Sequence, residues 1–121
     1  DLSTIYGRKE KNVQTTFEMD AIELDLEKGI PLGLIANELL TNCYKYAFTN
    51  RNSGQIIIQF FKKSGCFSFS VKDDGTGFAK DFDPHNSNTL GLELVRVITK
   101  QLDGSIAINS GHGVEVTISF K

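Results

Sequence analysis

Hydrophobic and polar residues alternate along four stretches of the chain in the way that strands require. These stretches are "VQTTFEMD" (residues 13–20), "AIELDL" (21–26), "QIIIQFFK" (55–62) and "CFSFSVKD" (66–73). In the fourth stretch, Phe67, Phe69 and Val71 share one strongly apolar face. Two more strands are predicted at the end of the chain, where "GVEVTISF" (113–120) alternates in the same way.

Two other stretches have the hydrophobic spacing of helices. "GIPLGLIANELLTNCYKYAF" (29–48) predicts a long helix with Pro31 in its first turn. Its expected inward positions are Leu32, Ile35, Leu39, Cys43 and Ala47. "TLGLELVRVITKQLDG" (89–104) predicts a second helix that is capped by Asn88 or Thr89 and ends at Gly104. Its expected inward positions are Leu94, Val95, Ile98 and Leu102.

The order of these elements favours a two-layer α/β sandwich. Short turns such as Lys63-Ser64-Gly65 join neighbouring strands into hairpins, which are antiparallel. A mixed, mostly antiparallel sheet covered on one face by helices is therefore the simplest packing. At 121 residues the chain is expected to form a single domain. The loop predicted at 74–89 is long, and long loops in compact domains usually have a function.

Charge and composition narrow the possible functions. The formal net charge is −2 and the pI is near 5.6, which argues against a nucleic-acid partner, because such domains usually carry a basic surplus. No apolar run approaches 18 residues, so no direct membrane contact is expected. A cytoplasmic location is predicted, either for a soluble protein or for the cytosolic portion of a membrane protein. Cys43 and Cys66 lack metal-site spacing and are expected to be reduced, buried thiols.

The stretch "NELLTNCYKYAF" (37–48) contains an unusual set of polar side chains within an apolar helix. Glu38, Asn42 and Lys45 follow one another in steps of four and three, which would place all three on one side of the helix. Such a stripe is either solvated surface or a binding site. The sequence pattern alone leaves both interpretations open.

A second motif, "VKDDGTGF" (71–78), ends a strand with two aspartates and continues with Gly75 and Gly77. Glycine lets the backbone approach a ligand closely, and Asp73 can accept a hydrogen bond from an exocyclic amine. Asp74 is expected to be exposed. An ordinary turn, in which Asp supplies hydrogen bonds and Gly supplies positive φ, would have the same sequence.

Two further glycine motifs lie nearer the end of the chain. Gly91 falls in the first turn of the second predicted helix, where unpaired N–H groups and the helix dipole favour phosphate. An ordinary capped helix is the alternative. "SGHGVEV" (110–116) puts Gly111 and Gly113 in a tight turn, which is more typical of a hairpin than of a ligand contact.

Taken in this order, NExxxNxxKY, DxGxG, LGL and GxG resemble the N, G1, G2 and G3 boxes of sensor histidine kinases. The resemblance is to their catalytic ATP-binding domain, which has the Bergerat fold of the GHKL ATPase superfamily, and it covers residues 30–120. "IPLGLIANELLTNCYKYAF" and "LGLELVRVITKQLDG" are most similar to the kinases that carry the second type of dimerisation and phosphoacceptor domain. The resemblance implies ATP and Mg²⁺ as ligands.

The resemblance also implies roles for the first helix. Asn42 would be an oxygen ligand that joins Mg²⁺ to the ATP phosphates. Glu38 would help to position Mg²⁺ or act as a base towards the incoming histidine, with solvated surface as the alternative. Lys45 would contact phosphate. Tyr46 would pack against the adenine or its ribose, although a core position is nearly as consistent with its sequence context.

For the rest of the pocket, the resemblance implies that Asp73 accepts the hydrogen bond of the adenine amine. Gly75 and Gly77 would line the base pocket. A hinge between the lid and the phosphate-facing helix end is implied for Leu90, Gly91 and Leu92. The sequence departs from the family where Ser87-Asn88-Thr89 precede Leu90 and where Val114 replaces a frequent Thr. No distinct F box is present, although Phe78 and Phe82 are candidates for part of its role.

A domain of this kind would donate the γ-phosphoryl group of ATP to a histidine on a separate dimerisation domain, and a response regulator would receive it afterwards. Neither His85 nor His112 lies in a helical phosphoacceptor context, so the isolated domain is expected to bind ATP without autophosphorylating. The resemblance also implies a monomer, because the dimer contacts of this family lie mostly in the dimerisation domain. One alternative is a protein serine kinase of the anti-sigma-factor type. Another is a non-catalytic GHKL module in which ATP regulates docking.

Overall fold

In the part of the chain that the structure describes, a mixed five-stranded sheet forms one layer. The computed structural model describes residues 12–48, 52–75 and 92–121. The strands are β1 (Asn12–Met19), β2 (Ser53–Lys63), β3 (Cys66–Asp73), β4 (Ser105–Gly111) and β5 (Gly113–Phe120). Their order across the sheet is β1-β2-β3-β5-β4. The β1–β2 pair is parallel and the other three pairs are antiparallel. The predicted mixed, mostly antiparallel sheet is therefore confirmed.

Among the residues that the structure describes, two α-helices form the second layer. They are α1 (Leu26–Asn42), which continues into a π-helical turn at Cys43–Ala47, and α2 (Leu92–Gln101). One face of the sheet packs beneath them, because the alternate residues Ile58, Val71 and Val116 align across three strands and are all buried. Leu32, Ile35 and Leu39 of α1 meet this face together with Val95 and Ile98 of α2. These contacts account for the spacing that predicted the two helices.

The hairpin between β2 and β3 turns at Ser64 and Gly65, which have positive φ angles of 53° and 79°. Two consecutive residues of this kind match the right-handed twist of a tight hairpin. The register that follows places Val71 opposite Ile58 and Asp73 opposite Ile56. Asp73 therefore lies on the core face of the sheet, at its end.

Five predictions about the elements and about buried positions are wrong. Residues 21–25 form no strand, and α1 begins at Leu26, so Pro31 lies beyond the first turn. The helix does not stay α-helical to residue 48, because the π turn begins at Cys43. Leu94 is exposed, and Leu92 and Thr99 are buried instead. Cys66 is exposed at the start of β3, whereas Cys43 is buried as expected, and both thiols are free.

The π turn explains how the end of α1 stays in contact with the core. A π turn contains more residues than an α turn, so it changes the phase of the side chains that follow. Cys43, Tyr44, Ala47 and Phe48 are all buried. Within residues 12–48, 52–75 and 92–121, neither helix has the length and apolar character that crossing a bilayer requires.

Gly54 makes room for Phe48, and substitution of this glycine is expected to destabilise the fold. A Cβ atom at residue 54 would lie 2.2 Å from the Phe48 ring, which is only 1% exposed. Gly54→Ala should therefore lower the free energy of unfolding by about 1–3 kcal/mol, the usual range for overpacking a core. Urea denaturation measures this change. Gly33→Ala is the matched control, because a Cβ there meets nothing within 4 Å and alanine favours a helix. An equal loss in both variants would contradict the role of Gly54.

Candidate functional site

Asp73 is a buried carboxylate at the end of β3. The side chain is 5% exposed, because the register of the sheet turns it towards the helices. Its Oδ1 atom accepts hydrogen bonds from the backbone N–H of Gly75 at 2.9 Å and of Val114 at 3.2 Å. A buried carboxylate is costly without such donors. Two backbone N–H groups at the strand end therefore stabilise the Asp73 carboxylate.

The end of α1 meets Asp73 directly. The Cys43 thiol donates to Asp73 Oδ2 across 3.6 Å, although the two residues are 30 positions apart in the chain. Gly75 lies against the same helix end, since a Cβ atom on it would be 2.2 Å from the Ala47 carbonyl oxygen. The "NELLTNCYKYAF" and "VKDDGTGF" motifs are thus brought together in space.

The turn between β4 and β5 closes the other side of Asp73. Gly113 has a φ of 111°, and a Cβ atom there would lie 2.0 Å from the Asp73 carbonyl oxygen. This close approach allows the N–H of the next residue, Val114, to reach the Asp73 carboxylate. The GxG turn is therefore part of the same site.

Burial is the main influence on the charge of these groups. Desolvation raises the pKa of Asp73 above its usual value of 3.8, the hydrogen bonds from Gly75, Val114 and Cys43 counteract it, and the nearby Asp74 raises it further. Desolvation also raises the pKa of Cys43 well above its usual range, and the Asp73 charge raises it further. Cys43 is therefore a thiol at neutral pH and acts as a donor.

Glu38 and Asn42 are half-buried and lie one turn apart on α1, as their spacing predicted. Lys45 is exposed and belongs to the π turn, so its step from Asn42 does not have α-helical phase. Asp74 is exposed as expected, and its Oδ1 accepts a hydrogen bond from the Gln55 backbone N–H at 2.8 Å.

The remaining predicted site residues divide into two groups. Leu92 is buried at the start of α2 and packs in the core. Gly77, Leu90 and Gly91 lie outside the described residues, together with the Tyr46 side chain, Phe78, Phe82 and His85. The assignments of this second group stay predictions.

Two features of the site were not predicted from the sequence. The sequence pattern predicts a core thiol at Cys43, and for Gly111 and Gly113 it favours an ordinary hairpin turn over a ligand contact. The only sequence signal for Cys43 is its position next to Asn42 in the first motif. Its contact with Asp73 depends on the π turn and on the sheet register, which are set by tertiary packing.

Comparison with known proteins gives consistent matches to histidine kinases. Blue-light-activated histidine kinase 2 of Erythrobacter litoralis is 29% identical over 82% of this chain and 29% of its own length. Sensor histidine kinase PdtaS of Mycolicibacterium smegmatis is 31% identical over 71% of this chain and 18% of its own length. The chain therefore spans less than a third of either relative.

Solved structures agree with the sequence matches. The blue-light activated histidine kinase EL346 of Erythrobacter litoralis superposes with a TM-score of 0.87 at 30% identity, over 98% of this chain and 37% of that chain. Histidine kinase AdeS of Acinetobacter baumannii has a TM-score of 0.77 at 20% identity, which supports the fold alone. The sequence profile described as "Histidine kinase-, DNA gyrase B-, and HSP90-like ATPase" matches residues 27–121. The chain therefore belongs to the family of histidine kinase-, DNA gyrase B- and HSP90-like ATPases.

Proposed function

We propose that this chain is the ATP-binding catalytic domain of a sensor histidine kinase that donates the γ-phosphoryl group of ATP to a histidine. The observation that carries this proposal is the meeting of the α1 end with the buried Asp73. Membership of the ATPase family and the histidine kinase names of the relatives support it. The buried Asp73 carboxylate at the end of β3 can bind a nucleotide base, and the polar side chains near the end of α1 can bind its phosphates.

At the base end, Asp73 is suited to the amine of adenine. A carboxylate has about four acceptor positions, two on each oxygen. Gly75 and Val114 occupy those of Oδ1, and Cys43 occupies one on Oδ2. The remaining position on Oδ2 accepts the N–H of the adenine amine. The 6-oxo group of guanine offers no such hydrogen, so Asp73 distinguishes the two bases. Gly75 and Gly77 leave the backbone close to the base, and Tyr46 covers the base or its ribose.

At the phosphate end, the residues fit a magnesium ion that arrives with ATP. Mg²⁺ usually takes one or two protein oxygens, with waters and phosphate oxygens completing its shell. Asn42 offers a neutral carboxamide oxygen, and Glu38 lies one turn away on the same helix. Lys45, exposed beyond them, supplies a cation for phosphate. We assign Leu90, Gly91 and Leu92 to the hinge between the lid and the phosphate-facing helix end.

Positioning and charge neutralisation account for most of the rate of phosphoryl transfer, because little covalent chemistry is left to the protein. Glu38 either helps to orient the metal or accepts the proton of the attacking histidine. The acceptor histidine belongs to a helical phosphoacceptor domain, and a response regulator takes the phosphoryl group from it. The domain functions in the cytoplasm, where ATP is available, and is a monomer when isolated.

A nucleotide titration with and without Mg²⁺, followed by phosphoryl transfer to an added phosphoacceptor domain, tests this function. We expect ATP to bind more tightly with Mg²⁺ and the label from γ-labelled ATP to appear on histidine. Asn42→Ala should remove most of the Mg²⁺-dependent gain, about tenfold if one metal contact is lost. Asn37→Ala is the matched control, because Asn37 is an exposed asparagine on the same helix. Label on serine would instead identify a serine kinase, and absence of ATP binding would refute the proposal.

A further inference from the structure

We propose that Cys43 is a positioning residue of the base pocket, whose thiol holds Asp73 Oδ2 so that its remaining acceptor position faces the adenine amine. This inference rests on the proposed function. It assigns a role in base selection to a side chain that the sequence pattern places among the core residues. The contact that supports it is the 3.6 Å approach of Cys43 Sγ to Asp73 Oδ2.

The donors to Asp73 show what the thiol contributes. Among the residues that the structure describes, Gly75, Val114 and Cys43 donate to this carboxylate. The two backbone donors both reach Oδ1, so among residues 12–48, 52–75 and 92–121 it is the thiol that reaches the other oxygen. The Cys43 thiol is the donor to Oδ2, the oxygen that we assign to the base. Without it, a buried acceptor position would stay unsatisfied, which carries a free-energy cost.

The thiol has properties that suit this task. Cys43 is buried, and its Sγ–H donates one hydrogen to Asp73 without placing a positive charge next to the carboxylate. A thiol is a weak donor, and its competition with the adenine amine for the electron density of Oδ2 is correspondingly small. A lysine or arginine in its place would neutralise Asp73 and weaken its attraction for the amine.

Position along the chain adds a second consequence. Cys43 follows directly after Asn42, which we assign to the metal, and it is the first residue of the π turn. The base end and the phosphate end of the pocket are therefore connected by one peptide bond on α1. A change at Cys43 that moves Asp73 is expected to act on base recognition, while leaving the phosphate contacts of the nucleotide in place.

The test compares ATP with purine riboside triphosphate, which has the same phosphates and lacks the amine. All variants carry Cys66→Ala, so that Cys43 is the single thiol. We expect Cys43→Ala to weaken ATP binding about three- to tenfold, as the loss of one weak hydrogen bond predicts, and to leave binding of the analogue unchanged. Cys43→Ser, which keeps a donor, should restore ATP affinity to within about threefold. Equal losses for both nucleotides, or no loss at all, would overturn the proposal.

Infrared absorption of the thiol gives a readout that needs no change at Cys43. In the Cys66→Ala protein, the S–H stretching band should lie below the frequency of an unbonded thiol. Asp73→Asn should move the band back, because the carboxamide presents N–H groups to the thiol. A band at the unbonded frequency in the Cys66→Ala protein would overturn the proposal even if Cys43→Ala fails to fold. If the shifted band is present and this protein does not prefer ATP to the analogue, the proposed function fails and the thiol contact stands.

Discussion

Asp73→Asn is expected to lower ATP affinity about a hundredfold, because it removes a buried acceptor from the amine of the base. The N–H groups of Gly75 and Val114 both point at Oδ1, so they select the oxygen of the new carboxamide. Its NH₂ group is then forced into the place of Oδ2. Two donors, this NH₂ and the adenine amine, would face each other across the pocket.

Asp73→Asn is expected to bind inosine triphosphate more tightly than the parent chain does, whereas its affinity for ATP falls. The 6-oxo group of inosine is an acceptor, which clashes with the Asp73 carboxylate and matches the NH₂ group of the asparagine. The ratio of ATP affinity to inosine triphosphate affinity should therefore fall by more than the ATP affinity alone. Calorimetric titration of both nucleotides measures this ratio. An unchanged ratio would mean that Asp73 does not contact the base. Asp74→Asn is the control, because Asp74 is the exposed neighbour that binds Gln55 instead.

Asp73→Asn is expected to weaken ATP binding but to gain stability relative to the parent chain as the pH rises. Burial raises the pKa of Asp73, so the folded state binds a proton more readily than the unfolded chain. The contribution of Asp73 to stability is therefore fully present below its usual pKa of 3.8 and is lost as the pH rises through the raised value. The carboxamide of the variant does not titrate in this range. The free energy of unfolding of Asp73→Asn, relative to the parent chain, should rise with pH across this window.

These two effects indicate why a carboxylate occupies the position. A buried charge on the core face opposite Ile56 costs stability at neutral pH, and an apolar or carboxamide side chain would avoid that cost. The recognition of an amine that we propose for Asp73 would offset this cost. A denaturation series from acid to neutral pH, run on both proteins, would show whether the cost is present at Asp73.

Much of this site could be predicted from local sequence. The strand that ends at Asp73 follows from the alternation of Phe67, Phe69 and Val71, and a carboxylate at the last position of such a strand lies at the end of the sheet. The polar step from Glu38 to Asn42 follows from helical periodicity. Both predictions depend on residues that are close together in the chain, and both describe the structure correctly.

The features that were not predicted correctly from the sequence depend on contacts between distant segments of the chain. Residues 21–25 alternate like a strand but form none, and they connect the end of β1 to α1, which begins at Leu26. The π turn that begins at Cys43 is followed by Phe48, whose ring packs against Gly54, six residues further along the chain. The thiol contact with Asp73 requires both the π turn and the sheet register. No periodicity within one segment contains this information.

Gly113→Ala is expected to cause the largest loss of stability at the site, about 2–4 kcal/mol, because it combines backbone strain with a steric clash. The φ of 111° lies in a region that side chains with a Cβ atom rarely adopt. The new methyl group would also lie 2.0 Å from the Asp73 carbonyl oxygen and 3.1 Å from Oδ1. The clash is with backbone, which a rotamer change cannot relieve.

Gly111→Ala separates this effect from a general sensitivity of the hairpin. Gly111 pairs with Gly113 across the same turn, and a Cβ atom on it meets nothing within 4 Å. We expect Gly111→Ala to change the free energy of unfolding by less than about 0.5 kcal/mol, as is usual for exposed positions. Urea denaturation of both variants measures the difference. Similar losses in the two would show that the turn, and not its approach to Asp73, limits stability.

The nucleotide affinity of folded Gly113→Ala connects this turn to the function. Its clash moves the Val114 N–H away from Asp73 Oδ1 and so loosens the oxygen that the turn holds in place. Measured under conditions where the variant remains folded, ATP binding should weaken while binding of purine riboside triphosphate stays close to that of the parent chain. If both nucleotides bind as they do to the parent chain, Asp73 is held by Gly75 and Cys43 without help from the turn.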